Sequence, residues 1–408
     1  MNIVDIINKK RENEELTREE IAYAFNSYLD GNIKDYQMSA LLMAICINGM
    51  TNRETFDLVD IFIKSGDILD LSMIPGVKVD KHSTGGIGDK ITLIIGPIVS
   101  SCGVIVPKMS GRGLGYTGGT IDKLESIKGF KTSLTEEEFI QELKDIGFAV
   151  TSQTSNLCPL DKVIYALRDV TGTTTSIPLI AASIMSKKIA GGADKILIDI
   201  KCGNGAMMKT MDEALKLKNI MEKVGKFYNR ETICEITDMN IPLGSNIGNA
   251  LEVIEAIDVL KGKQGKLTDL ALKISAEMIK ISKNITYDMA LQEANTALQS
   301  GKAYQKFLDF VKYQGGDINS LQVSDRKQEI KANKAGTVKN INALNIGKLS
   351  CHLGAGRINK EDKIDYGVGV VLNKLVGDKV EIGDTLFTLY KNKMKPLELI
   401  IDDYYEIN

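Results

Sequence analysis

The chain has 408 residues, with 51 basic and 53 acidic side chains and a net charge of −2 at neutral pH. That length exceeds what one core usually holds and predicts two or three domains. The balanced charge offers no global field to nucleic acid or to an acidic membrane, so the expected partner is a small molecule.

Residues 1–65 read as helices. Thr17 with Glu20, and Thr51 with Glu54, have capping-box spacing, in which hydroxyl and carboxylate satisfy each other's orphan N–H groups. Between them Met38, Leu41, Leu42 and Ile45 recur at helical intervals over 35–48, and Gly49 is placed to stop that helix. From Val77 the texture changes. VKVD, VIVPKM, FAVTSQ, KILIDIKC and TICEITD each have the length of a buried strand, and 134–146 (Thr135 and Glu138 at capping spacing) and 212–227 read as crossover helices. The weakly charged run 91–107 is broken by Gly96, Pro97 and Gly103, which predicts a buried helix and strand rather than a membrane span. Two helical stretches between Leu160 and Ala190 interrupt the alternation and are expected to join the N-terminal helices. More helices run over 267–311. After Lys331 the runs GTVKNI, GVGVVLNKL, DKVEIGDTLFTLY and PLELIID predict strands. GDKVEIGDTL resembles lipoyl and biotinyl hairpins, but no lysine stands in a clear carrier motif, which favours a structural module.

The expected fold is α/β. It comprises a small all-helical domain (1–66 and 160–193), a larger α/β domain with a mostly parallel sheet (77–158 and 195–315), and a C-terminal β-rich domain (331–408). Turn-rich segments at 67–76, 154–158 and 191–194 are the expected hinges. Six cysteines, Cys46, Cys102, Cys158, Cys202, Cys234 and Cys351, lack CxxC pairs or metal-ligand spacing and read as reduced thiols suited to a cytoplasm. The start at Met1 shows no secretory-leader pattern.

Two glycine-rich loops dominate the α/β part: KHSTGGIGDK and KMSGRGLGYTGGTIDKLE. Each follows a predicted strand and ends where a helix can begin. Glycine lets backbone N–H groups approach an anion, hydroxyls donate further bonds, and lysine adds charge. Ligands of parallel sheets sit beyond the carboxyl ends of the strands. The pair therefore predicts an oxyanion site, phosphate above all. Downstream, Tyr165 and Arg168 are i,i+3, and Ser183 and Lys187 are i,i+4, so each pair shares a helix face. Gly191 and Gly192 end the second helix, and Lys188 reads as its exposed end. His82 is one of two histidines and, with an ordinary pKa of about 6.5, can donate a proton near neutrality. His352 has no motif around it and reads as a surface or packing residue. Asp89, Asp122 and Glu125 would repel phosphate as bare carboxylates, so they read as caps or lysine partners.

KHSTGGIGDK, SGRGLGYTGGTIDKLE and ILIDIKCGNGAMM together resemble the thymidine and pyrimidine-nucleoside phosphorylase family, over essentially the whole chain. The resemblance implies a pentosyltransferase. Pyrimidine nucleosides (uridine, thymidine, deoxyuridine) would be cleaved by inorganic phosphate to free base and (deoxy)ribose 1-phosphate, for nucleoside salvage and without an organic cofactor. It further implies a cytoplasmic homodimer, in which Leu41, Met43 and Phe56 face a partner copy or are buried within one chain.

By resemblance, Lys81, Ser83, Thr92, Lys108, Ser110 and Thr120 bind phosphate, while Arg168, Ser183 and Lys187 grip the pyrimidine with Tyr165 beside it. His82, Arg168 and Lys187 are the implied catalytic groups, His82 as general acid near the base O2. A potassium ion is implied as well, bound by backbone carbonyls at Gly88, Lys90, Leu243 and Asn246 and by the Glu255 carboxylate. Domain closure would bring phosphate and nucleoside together. Tyr116 stands where the family usually has histidine, and Asn204 where it commonly has serine. Lys108 stands where the thymidine-selective branch more often has methionine, which points to uridine being accepted. The alternatives are a thymidine-selective phosphorylase, an enzyme like anthranilate phosphoribosyltransferase, and a non-catalytic nucleoside-binding protein. The second would need a divalent-bound diphosphate, and no acidic pair near the loops matches it.

Overall fold

The computed structural model describes residues 1–408 except 114, 115, 117, 155, 358–361 and 393–395. Ser155, inside the expected hinge 154–158, lies outside the described residues. The chain forms two compact units: Met1–Met73, Gln153–Ile198 and Thr210–Glu235 make one, and Ile74–Ser152, Asp199–Lys209 and Ile236–Asn408 the other.

The first unit is mostly helical, with short extended stretches at 195–198 and 231–235. Thr17 and Thr51 accept from the Glu20 and Glu54 N–H groups, and both glutamates return the bond, so the two capping boxes close as their spacing requires. Helix Asp35–Asn48 has the expected bounds and stops at Gly49, whose φ of 72° suits glycine. Buried Glu54 also accepts from Lys10 Nζ and from the Leu16 N–H, each at 2.9 Å, which ties the first turns of the chain to the fourth helix. Helices Pro159–Thr171 and Ile177–Ala190 join this unit, the latter packed against helix Asn52–Lys64. Ile177–Ala190 is buried almost all round, and this overturns the reading of Lys188 as an exposed helix end: the whole residue is only 3% exposed. Of the residues considered for a dimer face, Leu41 is fully buried within the chain, and Phe56 lies 5.1 Å from the Phe227 ring. Met43 is exposed, as are Tyr36 and Ile47 on the same helix.

The second unit holds the α/β core and the β-rich module. Strands β1 (Val79–Ser83), β2 (Val106–Ser110), β3 (Phe148–Ser152), β4 (Lys195–Cys202) and β5 (Glu231–Asp238) form where the five apolar runs stand. β2 and β3 pair in parallel, with Lys108 opposite Val150 and Ser110 opposite Ser152. A parallel bridge from Lys78 to Ile105 leads to β1, which heads the order β1-β4-β5. β4 from Asp199 and β5 from Ile236 onward belong to this unit. The run 91–107 becomes helix Ile91–Ser101 followed by the start of β2. At Gly96 a Cβ would come within 2.3 Å of the Phe148 ring, so only glycine lets this helix lie so close to the sheet.

In the β-rich module, strands Asn246–Ile247, Gly369–Leu372, Thr385–Tyr390 and Lys327–Lys331 form one antiparallel sheet in that order. Lys379–Val380, Gly336–Ile341 and Tyr405–Ile407 form another. The expected strand PLELIID is absent: residues 396–400 carry no strand, and a short 3₁₀ turn, Ile401–Asp403, follows. A side chain supplies what a ladder would have supplied, because the Gln328 amide bonds both the Leu397 carbonyl (2.8 Å) and its N–H (3.0 Å).

Glu142, on helix Glu136–Ile146, is fully buried, and neither carboxyl oxygen has a hydrogen-bond partner among the described residues. Burial pushes this carboxyl up to about 9. Such a group keeps a proton when folded that the unfolded chain releases near pH 4.3, so stability falls as pH rises from there towards 9. The loss is on the order of 4 kcal/mol by pH 7, from about 1.4 kcal/mol per pH unit. Glu142→Gln is expected to remove this slope. Urea midpoints at pH 5 and pH 8 should diverge for the wild type and stay closer together for the variant, and equal slopes in both would refute the assignment.

Candidate active site

In the second unit both glycine loops leave the carboxyl ends of neighbouring strands. β1 ends in Lys81, His82 and Ser83, and β2 carries Lys108 and ends at Ser110. Alternation along β1 puts Lys81 and Ser83 on one face and half-buried His82 on the other. Thr92 lies in the first turn of helix Ile91–Ser101, and Thr120 opens helix Thr120–Glu125. Lys81, Lys108 and Thr92 are buried, at 1%, 4% and 7% exposure. Lys108 Nζ donates to the Met109 carbonyl at 2.6 Å, and for Lys81 the sheet supplies an anion. Asp199 on β4 stands 3.3 Å from Lys81 Nζ and 2.7 Å from Lys201 Nζ, and it accepts from the Thr237 hydroxyl at 2.6 Å.

Ser83 Oγ donates to Asp89 and accepts from the Gly85 N–H at 3.2 Å. Burial would raise the Asp89 carboxyl, but Lys81, Lys201 and Lys123 nearby hold it far below the usual carboxylate range. Lys123 Nζ in turn donates to the Asp89 and Gly118 carbonyls at 3.1 and 2.6 Å, joining the two loops. Asp122 caps the second loop through the Gly113 and Gly119 N–H groups and pairs with Arg357 at 3.0 Å. Glu125 takes both ends of the Arg112 guanidinium at 2.6 and 2.5 Å. The three carboxylates thus act as caps and cation partners, as their position beside an anion loop requires. Asp199, Lys201 and Lys123 were missed as individual residues, although KILIDIKC and TIDKLE contain them; a buried Asp-x-Lys on a strand leading towards the loops was the available signal.

The first unit brings the other constellation together. Arg168 is 1% exposed, and its Nε, Nη1 and Nη2 donate to the carbonyls of Thr173, Leu179 and Thr174 at 3.2, 3.2 and 3.0 Å. Lys187 Nζ lies 2.6 Å from Asp161 Oδ2 and 3.2 Å from Ser183 Oγ. The Tyr165 ring sits 5.5 Å from the Lys187 ammonium and 5.9 Å from the Arg168 guanidinium, and burial raises its hydroxyl pKa. Asp161, fully buried, was not foreseen as part of this group. Tyr116 is exposed, with Lys348 Nζ 5.6 Å from its ring.

The five positions implied for potassium also converge, but they do not fit an ion. Lys90 contributes its side chain: Nζ donates to the Leu243 carbonyl (2.8 Å), the Asn246 carbonyl (2.7 Å) and Glu255 Oε2 (2.7 Å). The carbonyls of Gly88 and Lys90 are occupied within the backbone, accepting from the Lys90 and Leu93 N–H groups at 2.9 and 3.0 Å. Burial opposes ionisation of Glu255, yet Lys90 and the Ser245 donors bring it down to about 2. Among the described residues no cluster of three or more His, Cys, Asp or Glu side chains could hold a metal, and no helix is long and apolar enough to cross a membrane.

Three family models match the chain. "Glycosyl transferase family, helical bundle domain" matches residues 4–66, "Glycosyl transferase family, a/b domain" 76–304, and "Pyrimidine nucleoside phosphorylase C-terminal domain" 337–407. The chain is 50% identical over 415 residues to a pyrimidine-nucleoside phosphorylase of Bacillus subtilis (strain 168), covering 100% of this chain and 96% of that one. To the pyrimidine-nucleoside phosphorylase of Staphylococcus haemolyticus (strain JCSC1435) it is 49% identical over 417 residues, with the same coverage. The solved anthranilate phosphoribosyltransferase of Thermus thermophilus superposes with a TM-score of 0.59 at 16% identity, over 76% of this chain and 98% of that one, a likeness of fold alone.

Proposed function

Because the chain belongs to the pyrimidine-nucleoside phosphorylase family, we propose that its loop cluster seats the phosphate nucleophile and its Arg168–Lys187 cluster the departing pyrimidine. The reaction is phosphorolysis of a pyrimidine nucleoside, with inorganic phosphate as co-substrate. One observation carries the assignment of the phosphate seat: both glycine loops leave the carboxyl ends of adjacent parallel strands, each strand bringing a buried lysine and a terminal serine. Lys81, Lys108, Ser83, Ser110, Thr92 and Thr120 then hold the dianion, and Ser83 turns its hydroxyl from Asp89 to a phosphate oxygen.

Attack at C1′ passes through an oxocarbenium-like state, and negative charge gathers on the base as the glycosidic bond breaks. Lys187 and the N–H groups of Arg168 not committed to carbonyls stabilise that charge, with Ser183 and Tyr165 fixing the ring. His82 delivers a proton towards the base O2. Displacement needs both reactants brought together with water excluded, hence closure of the site during turnover.

Incubation with phosphate and uridine, thymidine or deoxyuridine should release free base and form the sugar 1-phosphate; no release from any of the three refutes the reading. Lys81→Ala is expected to raise the phosphate KM by about 10- to 100-fold, the size of a lost charged hydrogen bond, with little change in the uridine KM. Uridine is the substrate that tests breadth, and Lys108→Met should shift kcat/KM from uridine towards thymidine. A cytoplasmic homodimer is the proposed form, supported by the exposed Tyr36, Met43 and Ile47 on one helix. Light scattering at the mass of a single chain would contradict it.

A further inference from the structure

The position that the family resemblance assigns to potassium is occupied by this chain's own ammonium group. A lysine ammonium has three N–H donors, and Lys90 uses them on three oxygens: two backbone carbonyls and one carboxylate, all at 2.7–2.8 Å. Lys90 is fully buried, and the Glu255 side chain is only 4% exposed. The second oxygen of Glu255 is satisfied separately, by the Ser245 N–H at 2.8 Å and hydroxyl at 2.7 Å. The walls are tight. A Cβ added at Gly244 would fall 2.9 Å from Lys90 Nζ and 2.5 Å from Glu255 Oε2, and one added at Gly88 would fall 2.6 Å from the Leu243 carbonyl. A free cation cannot share such a seat with the ammonium, because both need the same oxygens and repel each other.

We propose that Lys90 serves as a covalently attached replacement for a monovalent metal ion, clamping segment 243–246 to the first glycine loop and making the protein independent of potassium. The clamp acts at the base of that loop, since Lys90 directly precedes helix Ile91–Ser101 and follows Asp89, the acceptor for Ser83. The clamp does not depend on which nucleoside is cleaved, and its effect is measured without substrate.

The test is a thermal-unfolding titration of the full-length protein with KCl, against tetramethylammonium chloride at constant ionic strength. The wild type should show the same Tm in both salts. Lys90→Ala empties the seat and leaves Glu255 with only the longer, 3.8 Å pairing to half-exposed Lys263, so its Tm should start lower and rise saturably with potassium or ammonium but not with tetramethylammonium. Lys90→Met, which fills the seat with an apolar chain, should start low and stay there. A saturable, potassium-specific rise in the wild type overturns the proposal, and this arm stands even if a variant fails to fold. A Lys90→Ala protein indifferent to every cation overturns it too, because the oxygens would then not form a cation seat.

Discussion

Lys187→Ala is expected to lower kcat for uridine phosphorolysis by about 10²- to 10³-fold while the uridine KM changes little. The charge that Lys187 meets on the pyrimidine exists only as the glycosidic bond breaks, so its loss should fall on the transition state rather than on ground-state binding. The same substitution strips a partner from Asp161, which is fully buried and 2.6 Å from Lys187 Nζ. Leaving a buried carboxylate alone costs stability, so the activity loss must be separated from unfolding. The double variant Lys187→Ala with Asp161→Ala removes both charges and should recover much of the Tm while remaining as slow as Lys187→Ala. Rapid turnover by the double variant would remove Lys187 from the proposed chemistry and leave it a structural partner of Asp161.

How far the chain could be read from residues alone depended on whether the signal was local. Helix Asp35–Asn48 and the capping boxes at Thr17, Thr51 and Thr135 form as read, because cap, period and stop lie within a few residues of one another. The five α/β strands were legible for the same reason: short apolar runs bounded by turns. PLELIID failed because what holds it is not local. Gln328 reaches across 69 positions to satisfy Leu397, and no β-propensity scale contains that bond. Lys188 failed in a related way, since whether a lysine at a helix end is solvated depends on what else packs around that helix.

The site shows the same division. Both glycine loops and the Tyr165–Arg168 and Ser183–Lys187 spacings are sequence patterns. The carboxylates that hold the lysines in place, Asp199 and Asp161, come from other elements and emerge only with the fold. Lys90 is the sharpest case. Its number was expected among the cation ligands for its carbonyl, yet the side chain fills the seat, because segment 243–246 and Glu255 meet it from more than 150 residues away.

Asp199 carries the largest stability effect expected in the second unit. It is fully buried, lies 2.7 Å from Lys201 and 3.3 Å from Lys81, and neither lysine has meaningful exposure. Burial disfavours the charged form of Lys201, and Asp199 and Asp89 reverse that and raise its pKa. Asp199→Asn keeps the shape and an acceptor for the Thr237 hydroxyl but removes the charge, leaving two buried cations beside Asp89 with one anion fewer. A loss of roughly 3–5 kcal/mol is expected, the usual result of breaking a buried pair from one side, measured as a fall in the urea midpoint. Phosphate should then distinguish two roles for the lysines. If Lys81 is part of the phosphate seat, an added dianion replaces the missing carboxylate, and the Tm of Asp199→Asn should rise more steeply with phosphate than that of the wild type. Sulfate at equal ionic strength tests whether any tetrahedral dianion suffices, and chloride controls for screening. Equal phosphate responses in both proteins would mean that Lys81 and Lys201 serve the sheet alone, and that the nucleophile is held without them, by Lys108 and the hydroxyls and N–H groups of the loops.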